Sequence, residues 1–379
     1  MKILIAGGGT GGHVFPGIAV AEELKASHPE VQVLFIGGKR GLESTAVPEA
    51  GFRLRTLATA GFPRRRWWRW PWAAVVNVFG FAQAVWIVLS ERPRAVLGTG
   101  GYVSGPVSVA AKLLGVPLLL QEQNSIPGLT NRLLARIADE VHLSFIEARR
   151  YFTRRDHLKI TGNPVRAYIL SGEKEPALRE FKLDANRPTL FVFGGSLGAK
   201  RINAAAIEAL RRLKGRVDVQ CILQTGRDDF DAVRATVEKE QLPATVLPFV
   251  KKMHLAYAAA DLVVCRAGAM TLAEIAVCGR PSILVPYPFA AHDHQRVNAT
   301  NLADRGAAVM IDDAELTGER LAQEIAHLLA DRQALSRMSA NARLFARPDA
   351  ASRLARSLVS WAEGRAGRTT PESAAEEGA

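Results

Sequence analysis

GGGTGGHVFP, residues Gly7–Pro16, stands between a run that reads as a strand and one that reads as a helix. Before it, Lys2-Ile3-Leu4-Ile5-Ala6 is apolar, short and branched, as a buried parallel strand is. After it, Gly17–Lys25 (GIAVAEELK) has helical spacing. Strand, glycine-rich turn and helix in succession present backbone N–H groups and a helix N-terminus to an anion. Glycines admit positive φ and let a ligand reach the backbone where a Cβ would collide. His13 lies on this turn, a residue type that titrates near neutrality and can take a proton from a bound group. The same stretch also fits a plain dinucleotide-binding turn carrying a surface histidine, and alone it does not separate the two.

The pattern recurs along the chain. Val31–Ile36 reads as a second strand, and Ala95–Leu97 as a third that runs into GTGGYVSGP (Gly98–Pro106). Pro117–Gln121 leads into Glu122-Gln123-Asn124, Leu129–Ala138 restarts as a helix, and Glu140–Leu143 is again a strand. Ile160–Arg166 (ITGNPVR) has turn chemistry, which places a domain boundary at residue 166. The second half, 167–364, repeats the architecture without repeating the sequence. Thr189–Phe193 is a strand, Gly194–Gly198 a glycine turn and Ala199–Leu213 a helix. Val219–Gln224, Thr245–Leu247, Asp261–Cys265 and Ser282–Pro286 supply further strands, with a helix over Ala269–Cys278. The last helix is free to pack back on the first domain, and the tail 365–379 is small, polar and expected to be disordered. Strands alternating with helices predict an α/β chain of two Rossmann-like domains, each with a parallel sheet covered on both faces. The glycine turns at 7–12, 98–105, 194–198 and 266–268 all fall at strand carboxyl ends, where such sheets bind ligands. Turns facing each other across two such domains predict an interdomain cleft, with a nucleotide on one side and a second substrate on the other.

Composition narrows the setting. The 379 residues are 48% hydrophobic and 23% charged, as in ordinary globular chains, and long enough for about two or three domains. Cys221, Cys265 and Cys278 form no CxxC pair and no disulfide framework, which fits a reducing cytosol. The opening residues read as strand, without the pattern of a secretory signal. Net charge is +12, of which residues 1–165 carry +9 and residues 166–379 carry +3, counting Lys and Arg against Asp and Glu. Arg64, Arg65, Arg66 and Arg69 interleave with Trp67, Trp68, Trp70 and Trp72. Such a segment suits either stacked single-stranded nucleic acid or an anionic membrane surface. The uncharged run Ala73–Leu89 that follows favours the membrane and argues against nucleic acid. It sits at the short edge of the spanning range and holds Asn77, Gly80 and Gln83. The favoured reading is a helix that packs on its own domain and lowers its outer face into lipid; a fully enclosed core helix is the competing one.

Taken together, GGTGGHVFP (Gly8–Pro16), GGYVSGP (Gly100–Pro106), EQN (Glu122–Asn124), GNPVR (Gly162–Arg166), GGSLGA (Gly194–Ala199) and CRAGAMTLAE (Cys265–Glu274) resemble the MurG family of UDP-N-acetylglucosamine transferases, in that family's order. One departure is Gln121, where many members have histidine before the EQN. The resemblance implies the GT-B glycosyltransferase fold, no cofactor and no metal. It also implies transfer of N-acetylglucosamine from UDP-N-acetylglucosamine to the C4 hydroxyl of N-acetylmuramic acid in undecaprenyl-linked lipid I. The reaction inverts the anomeric centre and gives lipid II for peptidoglycan synthesis, hence for cell-wall biogenesis, cell shape and division. The implied place is the cytoplasmic face of the cell membrane, held peripherally, in reach of other cell-wall synthesis proteins. A transferase with another lipid acceptor, or a non-catalytic membrane-bound nucleotide-sugar binder, is the alternative.

Residue chemistry fits roles beside that resemblance. Something must accept the acceptor hydroxyl's proton; His13 is the first candidate and Glu122 the second. Thr10, Gly11 and Gly12 offer a hydroxyl and N–H groups at the mouth of the first domain. Ser196 and its glycine neighbours can bind a diphosphate at a helix N-terminus, and Arg166 can add a cation. Glu274 can accept two bonds from a ribose diol, with Ala269, Met270, Thr271, Leu272 and Ala273 forming the helix start before it. The family likeness further implies Asn124 on the sugar, Gln295 on the nucleotide-sugar, the Val250 backbone against uracil, and Tyr102 and Asn131 as acceptor-side or loop residues. Asp229-Phe230-Asp231 and His292-Asp293-His294 have spacings that metal sites use. The first is better read as the start of a surface helix, and no metal requirement is expected.

Overall fold

Strands that alternate Ile3 and Ile5 with Leu4 and Ala6 bury both faces, so each sheet needs helices above and below. The computed structural model describes residues 1–39, 41–60, 68, 70–195 and 198–364, and the chain divides into two units. The expectations for Arg64, Arg65, Arg66, Trp67, Arg69, Ser196 and the tail 365–379 lie outside the described residues.

The first unit comprises Met1–Gln123, Pro127–Arg166 and the chain from Asp349 on. Its elements are β1 (Lys2–Gly7), α1 (Gly11–Ser27), β2 (Gln32–Gly38), α2 (Glu43–Glu49), β3 (Arg53–Leu57) and α3 (Trp70–Glu91). They continue with β4 (Ala95–Gly100), α4 (Ser104–Leu113), β5 (Leu118–Glu122), α5 (Leu129–Leu134), β6 (Glu140–Leu143) and β7 (Leu158–Ile160). Among the described residues these strands form one seven-stranded parallel sheet in the order β3-β2-β1-β4-β5-β6-β7. Ile3, Ile5, Leu97 and Leu119 pack on one face with α1, while Leu4, Ala6, Val96, Leu118 and Leu120 pack on the other with α3 and α4.

The second unit comprises Asn124–Ile126 and Ala167–Pro348. It runs α6 (Lys174–Phe181), β8 (Thr189–Phe193), α7 (Lys200–Leu213), β9 (Gln220–Gln224), α8 (Phe230–Glu240), β10 (Ala244–Leu247) and α9 (Met253–Ala259). Then follow β11 (Leu262–Cys265), α10 (Ala269–Cys278), β12 (Ser282–Leu284), α11 (His294–Ala303), β13 (Ala308–Met310), α12 (Gly318–Ala330) and α13 (Arg332–Leu344). Its parallel sheet has the order β10-β9-β8-β11-β12-β13. Numbered from its own first strand, this is 3-2-1-4-5-6, the order of the first six strands of the first sheet. The order reverses between β1 and β4 in one unit and between β8 and β11 in the other, the points at which open parallel sheets bind ligands.

The apolar run expected over Ala73–Leu89 is the middle of α3. Its outer face carries exposed Trp70, Trp72, Val75, Val78, Phe79 and Trp86, so the enclosed core helix is ruled out. Its inner face explains the polar residues in the run. The Asn77 side chain takes the N–H of Ala60 (3.1 Å) and donates to the Ala60 carbonyl (2.9 Å), and Gln83 Oε1 accepts from the Ala58 N–H (2.9 Å). A Cβ on Gly80 would collide with the Ala58 carbonyl oxygen. Asn77, Gly80 and Gln83 therefore dock the helix on the segment beyond β3.

The last helix, α14 (Ala350–Ala362), lays Leu354, Ala355, Leu358 and Val359 against the face that α1 covers. It is also held by a buried carboxylate. Glu140, at the start of β6, accepts from Trp361 Nε1 (2.9 Å) and from Ser357 Oγ, with His142 Nε2 at 2.8 Å and Lys159 Nζ at 3.1 Å. Burial pushes the Glu140 carboxyl up, but His142, Ser357 and Trp361 outweigh it and hold it well below the usual carboxylate range. Burial lowers His142 against the opposing pull of Glu140, so the imidazole is neutral in the fold. Acid acts on both groups in one direction. Below about pH 6.5 the unfolded chain protonates its histidine first, and below about pH 4.5 it protonates its glutamate first, so stability falls as pH falls. Glu140→Gln should cost about 1–3 kcal/mol at neutral pH and flatten the acid limb of a Tm-against-pH curve. An unchanged acid limb would show that Glu140 does not govern the docking of α14.

Candidate active site

At the carboxyl ends of β1 and β4 the backbone passes so close to itself that only glycine fits. A Cβ on Gly7 would occupy the Thr99 hydroxyl, and one on Gly101 (φ +82°) would meet the Gly8 carbonyl. A Cβ on Gly100 (φ +106°) would stand 2.8 Å from His13 Cδ2, so the imidazole lies against bare backbone. Thr10 caps α1 in extended conformation, and Gly11 and Gly12 open the first turn, where N–H groups lack intrahelical partners, while the His13 N–H already donates to the Thr10 carbonyl (3.1 Å). Thr99 Oγ1 donates to the His13 carbonyl (2.7 Å), which ties that turn to β4. His13 Nδ1 lies 3.3 Å from the Gly8 carbonyl oxygen and 3.3 Å from Thr10 Oγ1. A carbonyl can only accept, so this contact is a hydrogen bond when the proton sits on Nδ1, and the basic lone pair is then on Nε2.

Glu43 is the residue here that no motif marks. Its side chain is buried at the start of α2, and it accepts from the N–H groups of Gly9 (2.8 Å) and Gly38 (2.7 Å). Cβ atoms on Gly8, Gly37 or Gly41 would all run into it. The carboxylate thus occupies the nest that the first glycine turn makes, and the start of α1 remains the anion-facing part.

Glu122 ends β5 and is buried. Its Oε2 accepts from Asn131 Nδ2 (2.9 Å) and from the Gly128 N–H (3.2 Å), and Asn131 also donates to the Gln121 carbonyl (3.1 Å). Beneath it runs a chain of amides. Asn163 accepts from Gln121 (2.9 Å) and donates to the Gln123 carbonyl (3.1 Å), while the Gln123 side chain donates to the Thr99 carbonyl (2.7 Å) and to Gln121 Oε1. Gln121, the departure from the family pattern, is therefore a working member of this network. Tyr102 follows Gly101 with its ring largely exposed. Arg166 is met by Glu22 in two-pronged fashion (Nη2–Oε1 2.7 Å, Nε–Oε1 3.1 Å), so the cation expected to serve a diphosphate already has a carboxylate of its own unit. Asn124 lies with the second unit, its Oδ1 3.4 Å from Asn298 Nδ2, beside the Ser125 N–H donating to Asn298 Oδ1 (3.1 Å).

In the second unit Gly195 (φ +91°) and Gly198 (φ +79°) shape the turn after β8, and a Cβ on Gly198 would strike the Thr225 carbonyl. Gln224, at the end of β9, bridges two expected donor contacts: its Nε2 donates to the Gly195 carbonyl (2.9 Å) and its Oε1 accepts the Val250 N–H (2.8 Å). The Val250 N–H is thus engaged within the unit. Asp229 accepts from Asn203 Nδ2 (2.9 Å) and precedes α8, the surface-helix start read from sequence.

Gly268 caps α10, whose first turn is Ala269, Met270, Thr271 and Leu272, with Ala273 and Glu274 next. Glu274 Oε2 accepts from the Tyr257 hydroxyl (2.8 Å). Gln295 on α11 accepts the Tyr287 N–H (3.0 Å), and Arg266 stacks on the Tyr287 ring at 5.5 Å while pairing with Asp313 (2.6 Å). Gln224 and Tyr257 escape a motif search for one reason. They act on site residues distant in sequence, which only the fold brings within reach.

Family models match both halves of the chain: glycosyltransferase family 28 N-terminal domain over residues 3–143, and glycosyltransferase family 28 C-terminal domain over 189–354. A protein of Chlorobaculum tepidum named UDP-N-acetylglucosamine–N-acetylmuramyl-(pentapeptide) pyrophosphoryl-undecaprenol N-acetylglucosamine transferase is 45% identical, covering 95% of this chain and 99% of its own. One of the same name from Desulforamulus reducens is 41% identical over 93% of this chain and 96% of its own. The crystal structure of Acinetobacter baumannii MurG superposes with a TM-score of 0.74 at 31% identity, covering 94% of this chain and 99% of that one. A Listeria monocytogenes protein described as a UDP-N-acetylglucosamine 2-epimerase, at 15% identity and a TM-score of 0.69, shares the fold alone. With two doubly wound parallel sheets and these matches along nearly its whole length, the chain belongs to glycosyltransferase family 28 and, within it, to the MurG family of GT-B N-acetylglucosamine transferases.

Proposed function

We propose that this chain moves N-acetylglucosamine from UDP-N-acetylglucosamine to the C4 hydroxyl of the N-acetylmuramic acid of lipid I, in one inverting displacement with His13 as general base. The names of its relatives supply the substrates. The observation that carries the mechanism is the contact of His13 Nδ1 with the Gly8 carbonyl, which puts the basic lone pair on Nε2 when the proton sits on Nδ1. The hydroxyl loses its proton to Nε2 as its oxygen bonds to the anomeric carbon, and UDP leaves with the electrons of the broken C–O bond. The starts of α1 and α10 supply N–H groups and dipole charge for diphosphates, Glu274 takes the ribose diol, and the Val250 backbone faces uracil. Glu122 fits a different task. Its carboxylate is buried and engaged by Asn131 and Gly128, so it serves as the hydrogen-bond anchor of those two residues.

The lipid chain of the acceptor brings the first unit to an anionic membrane surface. The exposed face of α3 supports this: Val78 is 70% exposed, Phe79 59% and Trp86 62%, with Leu129 and Leu133 exposed on α5 beyond α4. At 22 residues the helix is also long and apolar enough to cross a bilayer. Its inner face, docked through Asn77 and Gln83, favours lying in the interface.

Transfer of labelled sugar from UDP-N-acetylglucosamine to lipid I, with a diacylglycerol acceptor alongside, tests the substrate assignment; label on the diacylglycerol alone would reverse it. His13→Ala should lower kcat by about 10²–10⁴-fold with little change in donor KM. Near-normal turnover in that variant, with loss in Glu122→Ala, would exchange the two roles. Replacing Val75, Val78 and Phe79 by Ser, or Arg64, Arg65, Arg66 and Arg69 by Ser, should reduce sedimentation with anionic liposomes and turnover of full-length lipid acceptor. A short-chain soluble acceptor should be used at the normal rate. Equal loss on both acceptors would mean that these residues shape the unit and not its membrane contact.

A further inference from the structure

We infer that Tyr257 is a positioning residue of the donor site, its hydroxyl holding the Glu274 carboxylate in the orientation that reads a ribose diol. The inference rests on the reading of Glu274 as the ribose contact. Tyr257 comes from α9 and Glu274 from α10, and the hydroxyl donates to Glu274 Oε2 at 2.8 Å. The phenol is fully buried, and its ring is fixed edge-on against Phe191 (5.7 Å, 81°) and Phe193 (6.3 Å, 78°), side chains of β8 that stack on each other at 4.5 Å. A ring packed in this way has no room to swing its hydroxyl away.

The chemistry of the pair has one sense only. Burial and the neighbouring Glu274 charge push the Tyr257 phenol well above its ordinary range, so it stays protonated and can only donate to the carboxylate. A carboxylate offers about four lone-pair positions on two oxygens. The Tyr257 hydroxyl takes one of these on Oε2, and a ribose diol would use two others. A glutamate side chain on a helix surface otherwise samples several rotamers, and ordering it on binding opposes affinity. Tyr257 makes that ordering part of the fold, and the ligand meets a carboxylate already set.

The test compares UDP with 2′-deoxy-UDP by titration calorimetry on the full chain, in wild type, Tyr257→Phe and Glu274→Ala. Tyr257→Phe keeps the ring and removes only the donor. It should weaken UDP binding by about 3- to 10-fold, the range of one net hydrogen bond, and weaken 2′-deoxy-UDP less, so that the preference for ribose narrows. In steady state the donor KM should rise while kcat and the acceptor KM stay near wild type. Phe191→Leu, which disturbs the packing and keeps the hydroxyl, should leave the ribose preference intact. An unchanged preference in Tyr257→Phe, or equal narrowing in Phe191→Leu, overturns the inference. Unchanged UDP affinity in Glu274→Ala instead removes Glu274 from the ribose, which sinks the underlying reading by a separate result.

Discussion

A carboxylate buried among glycines organises the ligand-facing end of the first unit. Glu43 meets the N–H groups of Gly9 and Gly38, and Gly8, Gly37 and Gly41 leave the space that it fills. A buried anion is costly unless its oxygens are hydrogen-bonded, and two backbone donors from separate strand ends meet that need. The consequence runs outward through the chain. Gly8 is fixed, its carbonyl faces the His13 ring, and the ring rests on Gly100 because no Cβ intervenes. A larger residue at Gly8 would displace Glu43 first and His13 with it.

The second unit solves the same problem with neutral groups. Its turn after β8 is held by the Gln224 amide, which gives a proton to Gly195 and takes one from Val250. An amide can donate and accept at once, so one side chain registers a glycine loop against the end of a neighbouring strand. Both devices sit beside the place where strand order reverses, between β1 and β4 or between β8 and β11. There adjacent crossovers leave in opposite directions and backbone groups are left over for ligands.

This explains which parts were legible in the chain itself. Buried strands such as Thr189–Phe193 and helices such as Ala269–Cys278 announce themselves by continuous apolar runs and flanking glycines, and the structure has them at those residues. The edge strands β3 and β7 do not. RLRTL and LKI place Arg53, Arg55 and Lys159 in strands, as unpaired edges require to avoid association, and so they lose the apolar signature. Polar side chains within an apolar run are equally ambiguous: Asn77 and Gln83 read as marks against spanning, whereas their function is to dock α3 on Ala58 and Ala60. Glu43, Gln224 and Tyr257 were not legible at all. Each bonds a backbone or side-chain group reached only through the fold, 34, 26 and 17 residues away respectively.

The proposed division of labour between His13 and Glu122 follows from the same geometry. A general base must reach a proton on a ligand and return that proton to water between turnovers. His13 is partly exposed, and its Nδ1 faces the Gly8 carbonyl, a partner that can only accept. Once Nε2 is protonated, that carbonyl also stabilises the imidazolium, since both nitrogens then donate. Glu122 is enclosed, with its Oε2 receiving protons from Asn131 and from Gly128. In the proposed mechanism a carboxylate bound in this way serves as the hydrogen-bond anchor of Gly128 and Asn131, while the proton passes through the histidine.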